Sequence, residues 1–258
     1  MSAILKSPIP SGIRMLFAGC WLSTLVPANG FAEDANSPTN NAGFRQEAER
    51  EYLARKTEYH RAPTNAAFAC AFGRACFERA EYSTNATERA VLAEQGAGAC
   101  REVIRRDSNS APARLYLAMN LGQLARTRTL GALSLVDEME RQFQSARRLD
   151  EHLDHAAPDR YLGVLYREAP VIVSVGDRTK SRRHLLRAVQ LAPEFPVNRL
   201  NLVESFVLWG EKVEGRRELK KLETLLPEAR TNFTGASWAA TWADWNPRIT
   251  RVQQTLQD

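Results

Sequence analysis

Leu162-Gly163-Val164-Leu165-Tyr166, near the start of the stretch from Asp159 to Pro227, carries the spacing L-G-x-x-Y. Ser181, Leu185, Ala188 and Pro193 follow it at offsets of 4, 7 and 12. The same offsets recur at Gly215, Leu219, Leu222 and Pro227, each 34 residues further on. Offsets of 4 and 7 place three side chains on one face of a helix. Small residues on that face let a partner helix come close, and a proline stops the helix at a fixed place. The stretch predicts repeated helix–turn–helix units and therefore an all-α chain.

Upstream, Gly96, Cys100, Val103 and Ser108 repeat the offsets with serine in place of proline, and Phe72-Gly73-Arg74-Ala75-Cys76 echoes the L-G-x-x-Y spacing. Asn85-Ala86-Thr87-Glu88 fits a capping box for the helix between them. A further unit opens at Pro112, carries Leu117-Ala118-Met119-Asn120-Leu121, and closes through Ala146, Asp150, Leu153 and Pro158. From Ser108 to Pro158 is 50 residues, longer than the 34-residue period, with the excess around Leu124 to Gly131. Units starting near 65, 112, 159 and 196 exceed the three that a stacked array usually needs to bury its faces.

The flanks read differently. Phe44 to Arg61 is a charged helix with Phe44, Ala48, Tyr52 and Tyr59 near one side. Trp238, Trp242 and Trp245 share a helical face beyond Pro227, and Asn246-Pro247 suits the cap and first turn of a last helix, 248–257. Covering the open end of the last unit is the expected role of this region; an aromatic clamp on a ligand is the other. The expected division is a signal peptide over 1–32, a linker over 33–43, an N-terminal helix over 44–61, repeats over 62–227 and a Trp-rich cap over 228–258.

A proline-closed helical hairpin of this period resembles the tetratricopeptide repeat (TPR) superfamily over about 65–227. The resemblance implies a right-handed α-α superhelix of about four TPR-like hairpins with a C-terminal capping helix. Within it, Leu162 to Pro170, then Gly176-Asp177 and the basic helix through Arg183-His184-Leu185 and Ala188, resembles the TRAP-transporter T-component (TatT-like) family. Those are exported bacterial helical-repeat proteins associated with periplasmic solute-binding partners. The resemblance covers roughly 158–210, and the turn before Gly176 is more apolar here than the family's glycine-rich version.

Composition narrows the function classes. The 258-residue chain is 44% hydrophobic and 25% charged, ordinary for a globular protein. Its formal charge is +5, and removing Lys6 and Arg14 of the leader lowers that to +3, too mild to argue for nucleic acid. The basic run Arg178, Lys180, Arg182, Arg183 and Arg187 reads as a solvated helix face. In residues 1–32, Lys6 and Arg14 form a charged start, Met15 to Val26 a short apolar run, and Gly30-Phe31-Ala32 a cleavage site. Cys20 in Phe17-Ala18-Gly19-Cys20 offers a lipoprotein alternative that leaves only Met15 to Gly19 as its apolar core. The expected location is exported and periplasmic, with no transmembrane span in the mature chain.

Export places Cys70, Cys76 and Cys100 where disulfides can form. For a hairpin turning near Thr84, axial level favours a Cys70–Cys100 bridge, whereas helical phase favours Cys76 as the residue facing the partner helix; a reduced, buried set is the other reading. Catalytic patterns are sparse. Glu151-His152-Leu153-Asp154-His155 is the best metal candidate, but it lacks the zincin surroundings and reads better as a solvated helix end. A metal-dependent hydrolase through His152 and His155 is therefore the minor reading. No cofactor, metal or catalytic residue is expected.

Binding is better motivated. If Leu162, Gly163 and Tyr166 face the packing partner, residues on the opposite side of each first helix line a concave groove. That phase selects Arg74, Met119, Gln123, Glu168 and Glu204, flanked by Tyr116, Arg160, Tyr161, Arg167 and Asn201. The expected function is a non-enzymatic scaffold whose groove takes a protein or peptide partner. The alternative is an accessory that binds or hands over a small organic solute beside a periplasmic solute-binding protein.

Overall fold

The computed structural model describes residues 38–128 and 130–257. The expected signal peptide and Cys20 lie outside the described residues. Helix starts are fixed by local chemistry. The Asn65, Asn85, Ser110 and Asp177 side chains each accept a hydrogen bond from a backbone N–H in the first turn that follows. These bonds satisfy donors that have no partner inside the helix. The described residues form ten helices and contain no strand.

The chain divides into two compact units at about residue 145. The first holds α1 (Pro38–Arg61), α2 (Ala66–Glu81), α3 (Ala86–Arg106), α4 (Ala111–Ala125) and most of α5 (Ala132–Leu149). The helix expected over 44–61 begins earlier, inside the expected linker, because Pro38 is compatible with a first helical turn. α1 packs on α2, where Tyr59 stacks on Phe72 at 5.2 Å, and the Tyr52 hydroxyl donates to Gln95 of α3. A Cβ on Gly73 of α2 would run into Cys100 Sγ of α3, so the two helices touch at a small residue. Asn120 of α4 donates to the Gly73 carbonyl at 2.8 Å.

Cys70, Cys76 and Cys100 are buried in this unit and all three are free thiols, the reduced set rather than a Cys70–Cys100 bridge. Cys100 is instead packed against Gly73, midway between Cys70 and Cys76 in sequence. Burial raises all three thiols, Cys70 to about 11, which makes them poor nucleophiles.

The second unit runs from the last turn of α5 through α6 (Leu153–Glu168), α7 (Arg178–Leu191), α8 (Pro196–Leu208), α9 (Lys212–Asn232) and α10 (Ala236–Gln257). A Cβ on Gly163 would lie 2.6 Å from Leu185 Cγ, and Ser181 donates to the Gly163 carbonyl at 2.8 Å. This is the Gly73–Cys100 contact again, because Leu185 and Cys100 hold the same offset in their helices. Ala188 and Leu222 are fully buried in the adjoining core.

Prolines mark the boundaries less strictly than expected. Pro193 follows the end of α7, but Pro227 lies inside α9 and Pro247 inside α10. Tertiary burial explains both: Leu219, Leu222, Ala229 and Phe233 continue one apolar stripe past Pro227, as do Trp245, Ile249, Val252 and Leu256 past Pro247. Asn246-Pro247 therefore does not start a separate helix. Pro158 opens regular helix after Asp154, His155 and Ala156, which adopt φ of 47°, 56° and 60°. Such a left-handed run without glycine is held from outside, with His155 O accepting from Arg160 at 2.9 Å and from Asn198 at 3.1 Å. The apolar turn after α6 is exposed, with Ile172 95% accessible.

Trp238, Trp242 and Trp245 pack with Phe195 and Phe233 in one aromatic cluster, and Trp245 is fully buried. None of the helices described is long and apolar enough to cross a membrane.

Candidate functional site

In the second unit, α6 and α8 bring six predicted groove residues together. Arg160, Tyr161, Arg167 and Asn201 line one cavity with Val164, Val197 and Arg248. Glu168 joins through its ion pair with Arg167 at 2.7 Å, and Glu204 lies 3.7 Å from the Arg167 guanidinium. Spacing of three and four along each helix puts these side chains on one face.

The concave groove expected here is largely covered. Arg160, Tyr161 and Asn201 are buried, and the side chain of Arg167 is only 11% accessible. α10 supplies the cover. Arg248 donates to Asn201 Oδ1 at 2.7 Å and to both Glu204 oxygens at 2.8 Å, and it pairs with Asp244 at 2.9 Å. Sequence reasoning placed Arg248 only at the start of a last helix. Its one local signal was Asp244 four residues earlier, a helical ion-pair spacing.

Charge in this cluster is closely balanced. Burial opposes the Arg248 charge, but the Glu204 and Asp244 carboxylates outweigh it and hold the guanidinium protonated beyond its ordinary range. Burial likewise raises Glu204, and Arg248 with Arg167 more than reverses it, leaving the carboxyl below its ordinary value. Arg160 differs. Its bonds run to the Asp154 and His155 carbonyls and to Asn198 Oδ1, its guanidinium lies over the Tyr161 and Phe195 rings, and burial lowers its pKa.

A depressed carboxyl stabilises the fold above its unfolded pKa, roughly 4.3, and that contribution is lost as pH falls through the folded value. Glu204→Gln is expected to cost about 2 kcal/mol at neutral pH, allowing for partial exposure. Denaturation at pH 7 and pH 3 checks this. The gap between wild type and variant should close in acid, whereas a constant gap would show that Glu204 is not held ionised by Arg248.

The other predicted residues belong to the first unit. Arg74 pairs with Glu78 at 2.6 Å, and Gln123 donates to Glu81, which also binds Arg126 at 3.1 Å. Tyr116 and Met119 are buried on α4. These side chains too are packed rather than solvated. Their charged members neutralise each other along and between α2 and α4.

The metal candidate separates into other contacts. His155 stacks on Phe195 at 4.3 Å and approaches Glu194 at 3.4 Å, while His152 lies 3.9 Å from Glu151. Among the described residues, no three His, Cys, Asp or Glu side chains converge as a metal site would require. His184 is buried on α7 with Nδ1 2.6 Å from Asp159 Oδ1. No protein-family model matches this chain, and the search of curated proteins returns no match.

Proposed function

We propose that this chain is an exported, non-enzymatic binding protein, a right-handed superhelix of TPR-like hairpins whose α6–α8 face receives a protein or peptide partner. The repeated glycine contact, Gly73 on Cys100 and Gly163 on Leu185, supports the repeat reading. The observation that carries the partner class is the space available. The cavity among Arg160, Tyr161, Arg167, Asn201 and Arg248 measures ≈ 10 Å³, about enough for one water. An enclosed organic solute needs a few hundred Å³. Glu168 and Glu204, both partly accessible and both paired to the largely buried Arg167, thus suit a polar patch read by a macromolecular surface more than a pocket for a carried solute. A periplasmic solute-binding protein is one such partner.

Purification of the mature protein from its native host, wild type beside Arg167→Ala, tests this reading. Arg167 also donates to Asn201 O and Ser205 Oγ at 3.2 Å, so its loss should cost about 1–2 kcal/mol of stability. The variant should remain folded and hold a protein partner roughly tenfold more weakly, about 1.4 kcal/mol. A small molecule lost in the same comparison would favour the solute-accessory reading. Stoichiometric zinc or iron in the purified protein would favour the hydrolase.

A further inference from the structure

We propose that a second site, a cleft lined by the last turn of α5, by Asp159 of α6 and by α7, binds a phosphoryl group, either free phosphate or a phosphate ester. It is independent of the α6–α8 patch. A cleft of ≈ 370 Å³ is lined by Arg147, Asp159, Arg183, His184 and Arg187. That volume suits a small ligand.

The floor is built rather than incidental. Asp159 is fully buried, and both its oxygens accept from Arg147 Nε at 3.0 Å. The carboxylate can only accept, so the 2.6 Å contact makes His184 Nδ1 the donor. His184 also stacks on Tyr166, with ring centroids 5.5 Å apart. Two cationic or donor groups are thereby held in place by one carboxylate. With the Nδ1 proton given to Asp159, Nε2 of a neutral ring is an acceptor, so His184 reports on the cleft while the guanidinium groups supply the donors. Arg147 commits only Nε among the described contacts, so both of its Nη groups remain for a ligand.

The basic helix is not uniformly a solvated face. Arg178 and Arg182 pair with Glu211, and Arg187 pairs with both oxygens of Glu151 at 3.0 and 2.9 Å. Arg183, exposed on the same helix, forms no ion pair or hydrogen bond among the described residues, and it borders the cleft. Arg147, Arg183 and Arg187 set against Asp159 and Glu151 leave an excess of one positive charge before His184 is counted. Donors reach the cleft from two helices, and the four oxygens of a tetrahedral anion can accept from more directions than a planar carboxylate. Guanidinium groups bind phosphate through paired N–H donors.

The test uses the mature protein and follows the His184 imidazole by NMR at constant ionic strength. Titrating inorganic phosphate should give a saturable shift at His184, and chloride none. Arg183→Gln should weaken that binding roughly tenfold without changing the melting temperature. Arg182→Gln, which alters the same helix outside the cleft, should leave the affinity unchanged. Methyl phosphate in parallel distinguishes the sources: tighter binding than phosphate identifies an ester site, and weaker binding a free-phosphate site. An unsaturable phosphate response, equal binding of acetate, or unchanged affinity in Arg183→Gln would each overturn the proposal.

Discussion

Gly163→Leu is expected to lower the stability of the protein by about 3 kcal/mol, or to prevent the α6–α7 pair from closing. A Cβ alone at this position would stand 2.6 and 2.7 Å from Leu185 Cγ and Cδ2, and 3.1 Å from the Leu185 backbone nitrogen. The side-chain contacts could be relieved by a rotamer change at Leu185, but the backbone contact moves only if the helices separate. Leu185 is itself fully buried with Val164, Leu202 and Phe206, so it has little room to turn. Replacing a mid-helix glycine gains less than about 1 kcal/mol of helix propensity, too little to offset the overlap. Chemical denaturation measures the loss directly. An unchanged midpoint would mean that the glycine does not hold the two helices together.

The second large effect is expected at Trp245. Trp245→Ala should cost about 3–5 kcal/mol, as truncation of a buried aromatic does in a core that cannot collapse around the gap. The ring is fully buried and meets Phe195 at 5.4 Å and Trp242 at 4.9 Å, both near-perpendicular. It joins α10 to the same core as Val197, Leu200 and Val203 of α8 and Leu222 of α9. Loss of this contact should also loosen Arg248 from Glu204 and Asn201, since all three depend on where α10 lies. Trp242→Ala should cost less, because that ring is partly exposed and its indole N–H donates to Phe233 O. Equal losses for the two variants would argue that the aromatic cluster does not anchor the helix.

These two positions show what could be read without coordinates. Gly163, Ser181 and Leu185 were legible because their chemistry is local: small residues at helical spacing dictate which faces meet, as a polar cap such as Asn85 dictates where a helix starts. The all-helical class followed from that. Pro227 and Pro247 misled because a proline's local cost is modest beside an apolar stripe continuing on both sides of it. Six of the ten groove residues came together on α6 and α8 and the other four lie in the first unit; the burial of the six was hidden because the covering residue, Arg248, lies 44 positions beyond Glu204. The pairing of Asp159 with His184 was equally invisible, since no periodicity links residues 25 apart on different helices. Sequence spacing identified faces; it could not identify what lies on them.

The central claim, that the α6–α8 face receives a macromolecular partner, is tested most directly by placing a photo-cross-linking residue at Glu168 in the native host. The control position is Lys220, exposed on α9. A discrete protein adduct from position 168 and none from position 220 is the predicted result. Adducts of the same protein from both positions, or none from position 168 in a folded variant, would contradict it.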